Sequence, residues 1–162
     1  MKSEIKRGDD ISLDQLFKKF EAMEYIEVEA GYLSPKAHPE SELNMVEIAL
    51  LQQYGSESHN IPERPFLTDG AVLAVNELNK HWHGVMRDYL LGKKGLAAFE
   101  PLARASRESI AKAIAMQRFV PLSPTTLKFR RERGNTSTKI LIDTGYLING
   151  IESKVRRRRR KK

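Results

Sequence analysis

The sequence predicts an α+β fold in which a small antiparallel sheet carries two long helices and a short N-terminal helix on one face. Two kinds of hydrophobic period support this. Apolar residues recur at helical spacing over about 68–91 and 96–118. They alternate with polar residues, as in half-buried strands, over 26–32 and again over 150–155.

The charge is unevenly distributed along the chain. Of its 28 Lys/Arg and 21 Asp/Glu residues, eight basic residues and one acidic residue fall in 151–162, which leaves 20 of each sign before them and puts the net +7 at the C-terminus. We therefore expect one domain over 1–155 and a basic tail over 156–162. Because seven consecutive cations repel one another, the tail is predicted to be disordered alone.

The chain has no cysteine and no apolar run of the ~20 residues that a membrane span needs. These features exclude disulfides, thiolate metal sites and a thiol nucleophile, and they predict no membrane partner. They suit folding in a cytoplasmic environment.

The first third of the chain predicts two short helices around a strand. Leu13, Phe17 and Phe20 lie at helical spacing behind a Ser12 N-cap, and the helix is expected over 12–23. After strand 26–32 and a loop at 34–42, Asn44 and Glu47 have the spacing of a capping box for helix 45–54. Gly55 then ends this helix, and 55–65 is a loop.

The two long helices follow, separated by a turn at Gly92. The expected apolar stripe of the first includes Val72, Val75 and Trp82. Residues 119–139, rich in charge and proline, predict a long loop. Strand character returns at 140–142, and the last strand is expected to pair with the first.

In that pairing Glu27 and Glu29 would have Lys154 and Arg156 as cross-strand partners.

The motif Asp143-Thr144-Gly145, which follows three apolar residues, has the form of an aspartic-protease signature. The chain has one copy, so a protease would have to be a dimer. Only nineteen residues follow Asp143, too few for the rest of that fold. A turn in which Asp143 bonds nearby amides and Gly145 takes a positive φ is the favoured interpretation.

Other chemical sites are not predicted. His81 and His83 point to different faces of a helix and flank Trp82, which is expected in the core. No glycine-rich phosphate loop of the usual spacings occurs. The sequence therefore predicts no catalytic residues, no metal, no cofactor and no enzyme.

Three segments in order carry a resemblance to a known family. They are 46–67, which ends in Ile61-Pro62-Glu63-Arg64-Pro65-Phe66-Leu67; 120–128, with Pro121-Leu122-Ser123 and Thr126; and 140–147, with Leu141-Ile142-Asp143-Thr144-Gly145. In this order and spacing, over roughly 25–155, the chain resembles the neck, tail-completion or virion-morphogenesis proteins of tailed bacteriophages. Tail terminator, head-closure component and completion protein all remain open as subfamilies.

The resemblance implies a structural protein of the virion's head–tail junction, assembled in the host cytoplasm. It implies a ring of the chain with itself, six copies by the tail's symmetry, around the DNA channel. Other neck and tail proteins are the expected partners, with genomic DNA as a further one. It singles out as interface or structural residues Tyr54, Gly55, Pro62, Arg64, Pro65, Phe66, Leu122, Thr126, Asp143, Thr144 and Gly145.

Among these, Phe66 and Leu67 are expected in the core, and Arg64 is expected to project from a loop stiffened by two prolines as an interface anchor. The 119–139 loop is a second candidate, able to order against a neighbour.

The alternative function is a small nucleic-acid-binding protein that acts through its tail. The cations that would contact phosphates are Arg156, Arg157, Arg158, Arg159, Arg160, Lys161 and Lys162. The neutral body argues against this alternative.

Overall fold

The computed structural model describes residues 11–158 and confirms an α+β fold with a two-stranded antiparallel sheet. Its elements, in chain order, are α1 (Leu13–Met23), β1 (Ile26–Gly31), α2 (Met45–Tyr54), α3 (Phe66–Leu90), α4 (Glu100–Ala115), α5 (Pro124–Glu132), α6 (Tyr146–Asn149) and β2 (Glu152–Arg157). Within these residues no helix combines the length and apolarity that crossing a bilayer requires.

The two short helices begin where their capping residues predict. The Ser12 hydroxyl accepts from the Gln15 amide, 3.2 Å away, and the Gln15 side chain accepts from the Ser12 amide. Asn44 and Glu47 make the same reciprocal pair at the start of α2. These caps satisfy amides that have no partner within the helix, and they set both starting points.

The strands pair in the predicted antiparallel sense, with Val28 opposite Val155. Arg156 lies opposite Glu27 and donates to both Glu27 (3.0 Å) and Glu29 (2.7 Å). The expected cross-strand ion pairs are therefore confirmed for Arg156, whereas Lys154 pairs with Glu29 only in backbone register.

Three residues of the predicted tail belong to the ordered fold. Arg156 and Arg157 belong to β2, and the Arg158 amide donates to the Tyr25 carbonyl over 2.7 Å. The prediction of disorder is wrong for these three residues, because cross-strand carboxylates and the backbone ladder order them. Residues 159–162 lie outside the described part of the chain.

The long helices α3 and α4 pack closely because small residues face the contact. A Cβ placed on Gly70 would stand 2.6 Å from the Cα of Ile110, and Ala74 is buried further along the same face of α3. The predicted stripe is wrong here, since Val72 is 67 % exposed, and Val75 and Trp82 are also exposed. The face of α3 that packs against α4 is therefore the one whose small residues allow the two backbones to approach closely, and not the one with the larger apolar side chains.

The ends of the long helices also differ from the prediction. α3 starts at Phe66, two residues early, and a 3-10 turn over Gly95–Phe99 precedes α4. α4 ends at Ala115, short of the predicted 118.

Apolar side chains gather in two clusters, one near each end of α3. Phe66 and Ile114, both fully buried, centre the first cluster with Leu147. Tyr89 and Phe99 centre the second beneath the sheet, with ring centroids 5.1 Å apart in an edge-to-face contact.

The segment predicted as a long loop contains a helix. Ser123 accepts from the Thr126 amide at 3.1 Å, and Pro124 occupies the first helical position of α5. This is a standard helix start, so the charged residues that follow are helical rather than irregular. The predicted strand character at 140–142 is also wrong, because these residues form a turn in which Leu141 has a φ of 59°.

Candidate docking groove

A groove of about 820 Å³ opens beside the N-terminal end of α3. Four separate stretches of chain line it: the 38–43 loop, α2 with the loop that leads to α3, the 120–130 stretch that contains α5, and the turn at 141–147. The last three carry the resemblance, so residues more than fifty positions apart in sequence lie on one surface. We call this surface the groove.

The structure places seven of the eleven residues predicted from the resemblance in the groove lining: Pro62, Arg64, Leu122, Thr126, Asp143, Thr144 and Gly145. The other four lie outside it. Tyr54 is exposed, Pro65 precedes α3, and Phe66 is fully buried in the core as expected.

Gly55 shapes the groove wall from behind. Its φ is 69°, and a Cβ there would lie 2.7 Å from the carbonyl oxygen of Ile61 and 2.8 Å from the amide nitrogen of Glu63. Only glycine fits a positive φ this close to another backbone segment. Gly55 thus lets the chain double back so that Arg64 comes under α2.

Arg64 does not project from its loop, which corrects the prediction. It is 6 % exposed, and one terminal nitrogen donates to the side-chain oxygen of Gln52 over 2.8 Å. Its buried Nε has no hydrogen-bond partner. Within residues 11–158 no carboxylate lies within 4 Å of this guanidinium, although arginine stays charged in proteins.

A second buried arginine, Arg130, faces the same groove. It is 5 % exposed and donates to the carbonyls of Ser137 (3.1 Å), Lys139 (2.8 Å) and Ile142 (3.5 Å). Burial, and then the charge of Arg130, lower the pKa of Arg64. Two like charges are therefore held together in a poorly solvated place.

The sequence analysis missed Arg130 because it treated 119–139 as a loop. The Ser123-Pro124 start of α5 was the available signal, since it would have put Arg130 on a helix. Helical position alone would not have separated it from its exposed neighbour Arg131.

Asp143 belongs to a turn, as favoured, and Gly145 has the predicted positive φ of 84°. The partners of its carboxylate differ from the prediction. Asp143 accepts from Arg133 over 2.8 Å and from the Asn135 side chain, and its Oδ1 lies 3.4 Å from the Nε of Arg130. These contacts to two arginines and a side-chain amide hold the turn in place.

Two glutamines, the buried Gln53 and the partly buried Gln117, connect elements next to the groove. Gln53 accepts from the Leu67 amide (2.8 Å) and donates to the Thr68 hydroxyl (2.9 Å). It thereby caps α3, because the N-cap residue Pro65 makes no side-chain hydrogen bond to the helix. Gln117 donates to the carbonyls of Ile114 and Ile140 and so ties the end of α4 to the 140–142 turn.

A second apolar surface, which no part of residues 11–158 covers, lies at the other end of α3. Leu13, Phe17 and Phe20 of α1 are 72 %, 64 % and 47 % exposed, and they form one stripe that we call the outer face of α1. The inner side of α1 is anchored where the Lys19 ammonium donates to the carbonyls of Leu90 (2.7 Å) and Tyr89 (3.4 Å). An exposed apolar stripe of this kind commonly marks an interaction site.

The remaining candidates offer no comparable arrangement. His81 and His83 are exposed, and Trp82 between them is exposed rather than in the core. Within the described residues no three His, Asp or Glu side chains cluster as metal ligands would. Comparison with known proteins adds no relative, since no family model, curated protein or solved structure matches the chain.

Proposed function

We propose that the chain is a structural subunit of the head–tail junction of a tailed bacteriophage, a neck, tail-completion or tail-terminator protein that forms a ring around the DNA channel. The observation that supports this is the convergence of the three resembling segments on the groove. Short motifs that matched by chance would have no reason to share one surface.

The placement of exposed surfaces is suited to a ring. A ring of identical subunits requires a head-to-tail contact between two different surfaces of each subunit. The groove lies beside the N-terminal end of α3, and the outer face of α1 lies beside its C-terminal end. The two surfaces are separated by about the length of a 25-residue helix, roughly 37 Å at 1.5 Å per residue.

Six copies would match the symmetry of the tail, and other neck and tail proteins would bind the two faces of the ring. The site of action is the virion, after assembly in the host cytoplasm. No catalytic group is required, because the subunit joins head to tail by contacts alone.

The alternative, nucleic-acid binding through the C-terminal cations, has less support. Arg156 forms ion pairs with Glu27 and Glu29, and the guanidinium of Arg158 lies 3.6 Å from the Glu27 carboxylate. Arg157 is exposed and forms no ion pair among residues 11–158, and residues 159–162 lie outside the described part of the chain. A gel-shift titration of the full chain and of a version that ends at residue 158 tests this alternative, which predicts that truncation abolishes binding.

The proposed function is tested in the phage that encodes the chain. Mass spectrometry of purified virions should detect it at low copy number, and deletion should leave filled heads and separate tails. Absence from virions, together with normal particle yield after deletion, would contradict the proposal. A deletion complemented by the wild-type gene is the matched control.

A further inference from the structure

The side chains that line the groove indicate what kind of segment would bind there. Leu43, Ile48 and Val120 contribute apolar surface to its lining, to which Arg64 and Arg130 bring buried guanidinium groups. Arg130 has Asp143 nearby, whereas Arg64 has no carboxylate within 4 Å among residues 11–158. A buried cation without a counter-charge is unfavourable, and a carboxylate supplied by a ligand relieves this. The groove therefore fits an apolar segment that carries an acidic group.

Nucleic acid fits this groove less well. Phosphate groups are usually contacted by cations that reach into solvent, where counterions are released. Arg64 and Arg130 are instead recessed, and hydrated phosphates would have to enter a partly apolar cleft to meet them.

The outer face of α1 has the complementary chemistry. At 100° per residue along the helix, Asp14 and Glu21 lie along one side of the Leu13–Phe17–Phe20 stripe, and Glu24 lies at its C-terminal end. All three carboxylates are exposed, and none forms an ion pair within the described residues. The outer face of α1 therefore combines apolar side chains, which match the apolar lining of the groove, with unpaired carboxylates, which match Arg64.

The other exposed stripe, on α3, is a poorer match. Val72, Val75 and Trp82 form it, and its exposed polar neighbours are Asn76, Asn79 and His83 rather than carboxylates. Charge complementarity therefore favours α1 over α3 as the occupant.

The contact must join two copies of the chain. Lys19 fixes α1 to the C-terminal end of α3, and the groove lies at the opposite end. We propose that the outer face of α1 in one copy docks into the groove of the next copy, with Phe17 against the apolar lining and Asp14 or Glu21 paired with Arg64. The inference rests on the proposed function for closure of the contacts into a ring, but not for the contact itself.

Because the chain has no cysteine, pairs of introduced cysteines report this contact cleanly. The test variant is Lys18→Cys with Val120→Cys. Lys18 lies next to Asp14 on the acidic side of the α1 stripe, and Val120 lies at the exposed lip of the groove. The matched control, Asn79→Cys with Val120→Cys, marks the α3 stripe instead. Each purified full-length variant is treated with a short bis-maleimide over a range of protein concentrations up to its solubility limit.

The expected result is a ladder of covalent oligomers from the Lys18/Val120 variant and little product from the Asn79/Val120 variant. Adding Arg64→Met, or Phe17→Asp, to the test variant should lower the yield about tenfold, the loss expected when a central anchor is removed. Circular dichroism melts verify that each variant is folded, and Phe17→Asp lies on an exposed position that the fold does not use.

Two outcomes would overturn the inference: a ladder from the α3 control that equals or exceeds the test variant, or no ladder from the test variant at any concentration. Either result leaves the proposed junction function standing if the chain is found in virions. Conversely, a clear α1–groove ladder from a chain that is absent from virions would support this contact and contradict that function.

Discussion

The arginines at the two ends of the molecule have opposite surroundings. At the groove end, Arg64 and Arg130 are buried, and one carboxylate, Asp143, lies near them. At the sheet end, Arg156 and Arg158 are exposed and meet Glu27 and Glu29 across the strands. The excess charge of the chain lies near the exposed set, whereas in the buried set Arg64 has no carboxylate within 4 Å among residues 11–158.

Net charge along a sequence is therefore a poor guide to where a partner binds. An exposed ion pair contributes little to stability and is easily exchanged, because water screens it. A buried guanidinium is either satisfied by the fold or available to a partner with matching charge. Arg130 donates to three carbonyls and lies 3.4 Å from Asp143, although its Nε, like that of Arg64, makes no hydrogen bond. Arg64 has no such carboxylate among residues 11–158, and it is therefore the guanidinium of the second kind.

The largest loss of stability is expected for Arg130→Met. The substitution would leave the carbonyls of Ser137 and Lys139 without their donor and free Asp143 from a neighbouring cation, so we expect a loss of about 3 kcal/mol in unfolding free energy. Urea unfolding followed by circular dichroism measures it.

Arg64→Met is the matched control, since Arg64 makes one side-chain hydrogen bond, to Gln52. We expect it to cost no more than about 1 kcal/mol. Equal losses for the two variants would show that both arginines are structural, and would remove the distinction between them.

The second contrast concerns glycines at the two ends. Gly55→Ala should destabilise the protein by about 3 kcal/mol, because its positive φ and the Ile61 carbonyl at 2.7 Å both oppose a Cβ. Gly95, with a φ of 52° and open space around it, is the control, and Gly95→Ala should cost about 1 kcal/mol. Thermal melts of the two variants would contradict this account if Gly95→Ala were the less stable.

At the sheet end, Arg156→Ala is expected to change stability by no more than about 1 kcal/mol, since the Arg156 pairs with Glu27 and Glu29 are partly solvated. The difference from wild type should shrink further in high salt. Melts at low and high salt measure both effects, and a large loss that persists in high salt would place Arg156 in the same class as Arg130.

The smallest expected effect is a pH dependence at the start of β2. Hydrogen bonds from Lys36 and Ser34 hold the pKa of Glu152 below its usual value. A depressed carboxyl pKa stabilises the fold above the unfolded pKa, near 4.3, and that contribution disappears as the pH falls through the folded pKa.

Glu152→Gln should therefore melt below wild type at pH 6 and converge with it as the pH approaches 3. Glu108→Gln, which removes an exposed carboxylate that forms no ion pair in the described residues, is the control for the loss of one negative charge. A difference between Glu152→Gln and wild type that stays constant from pH 6 to pH 3 would refute the linkage.

The sequence predicted the fold class and the capped helices well, because Ser12 and Asn44 act through local hydrogen bonds that spacing reveals. The prediction failed where contacts between residues far apart in the sequence determine which side chains are buried. The buried face of α3 follows from the close approach of Gly70 to Ile110, and no pattern within α3 announces it.

The site was predicted in the same uneven way. The motifs named most of the groove's lining, but the burial of Arg64 depends on Gly55 turning the chain under α2. The burial of Arg130 was not predicted, because the charged segment 119–139 was expected to be a loop although Ser123 and Pro124 start a helix there.

Mixing two blocked variants tests the proposed head-to-tail contact between the outer face of α1 and the groove. Phe17→Asp disables the α1 face, and Val120→Asp disables the groove, so each alone should sediment as a monomer in analytical ultracentrifugation. An equimolar mixture retains one intact pair of surfaces, and the account predicts a one-to-one dimer that grows no further. A mixture that stays monomeric while wild type assembles, or a single variant that still forms rings, would contradict it.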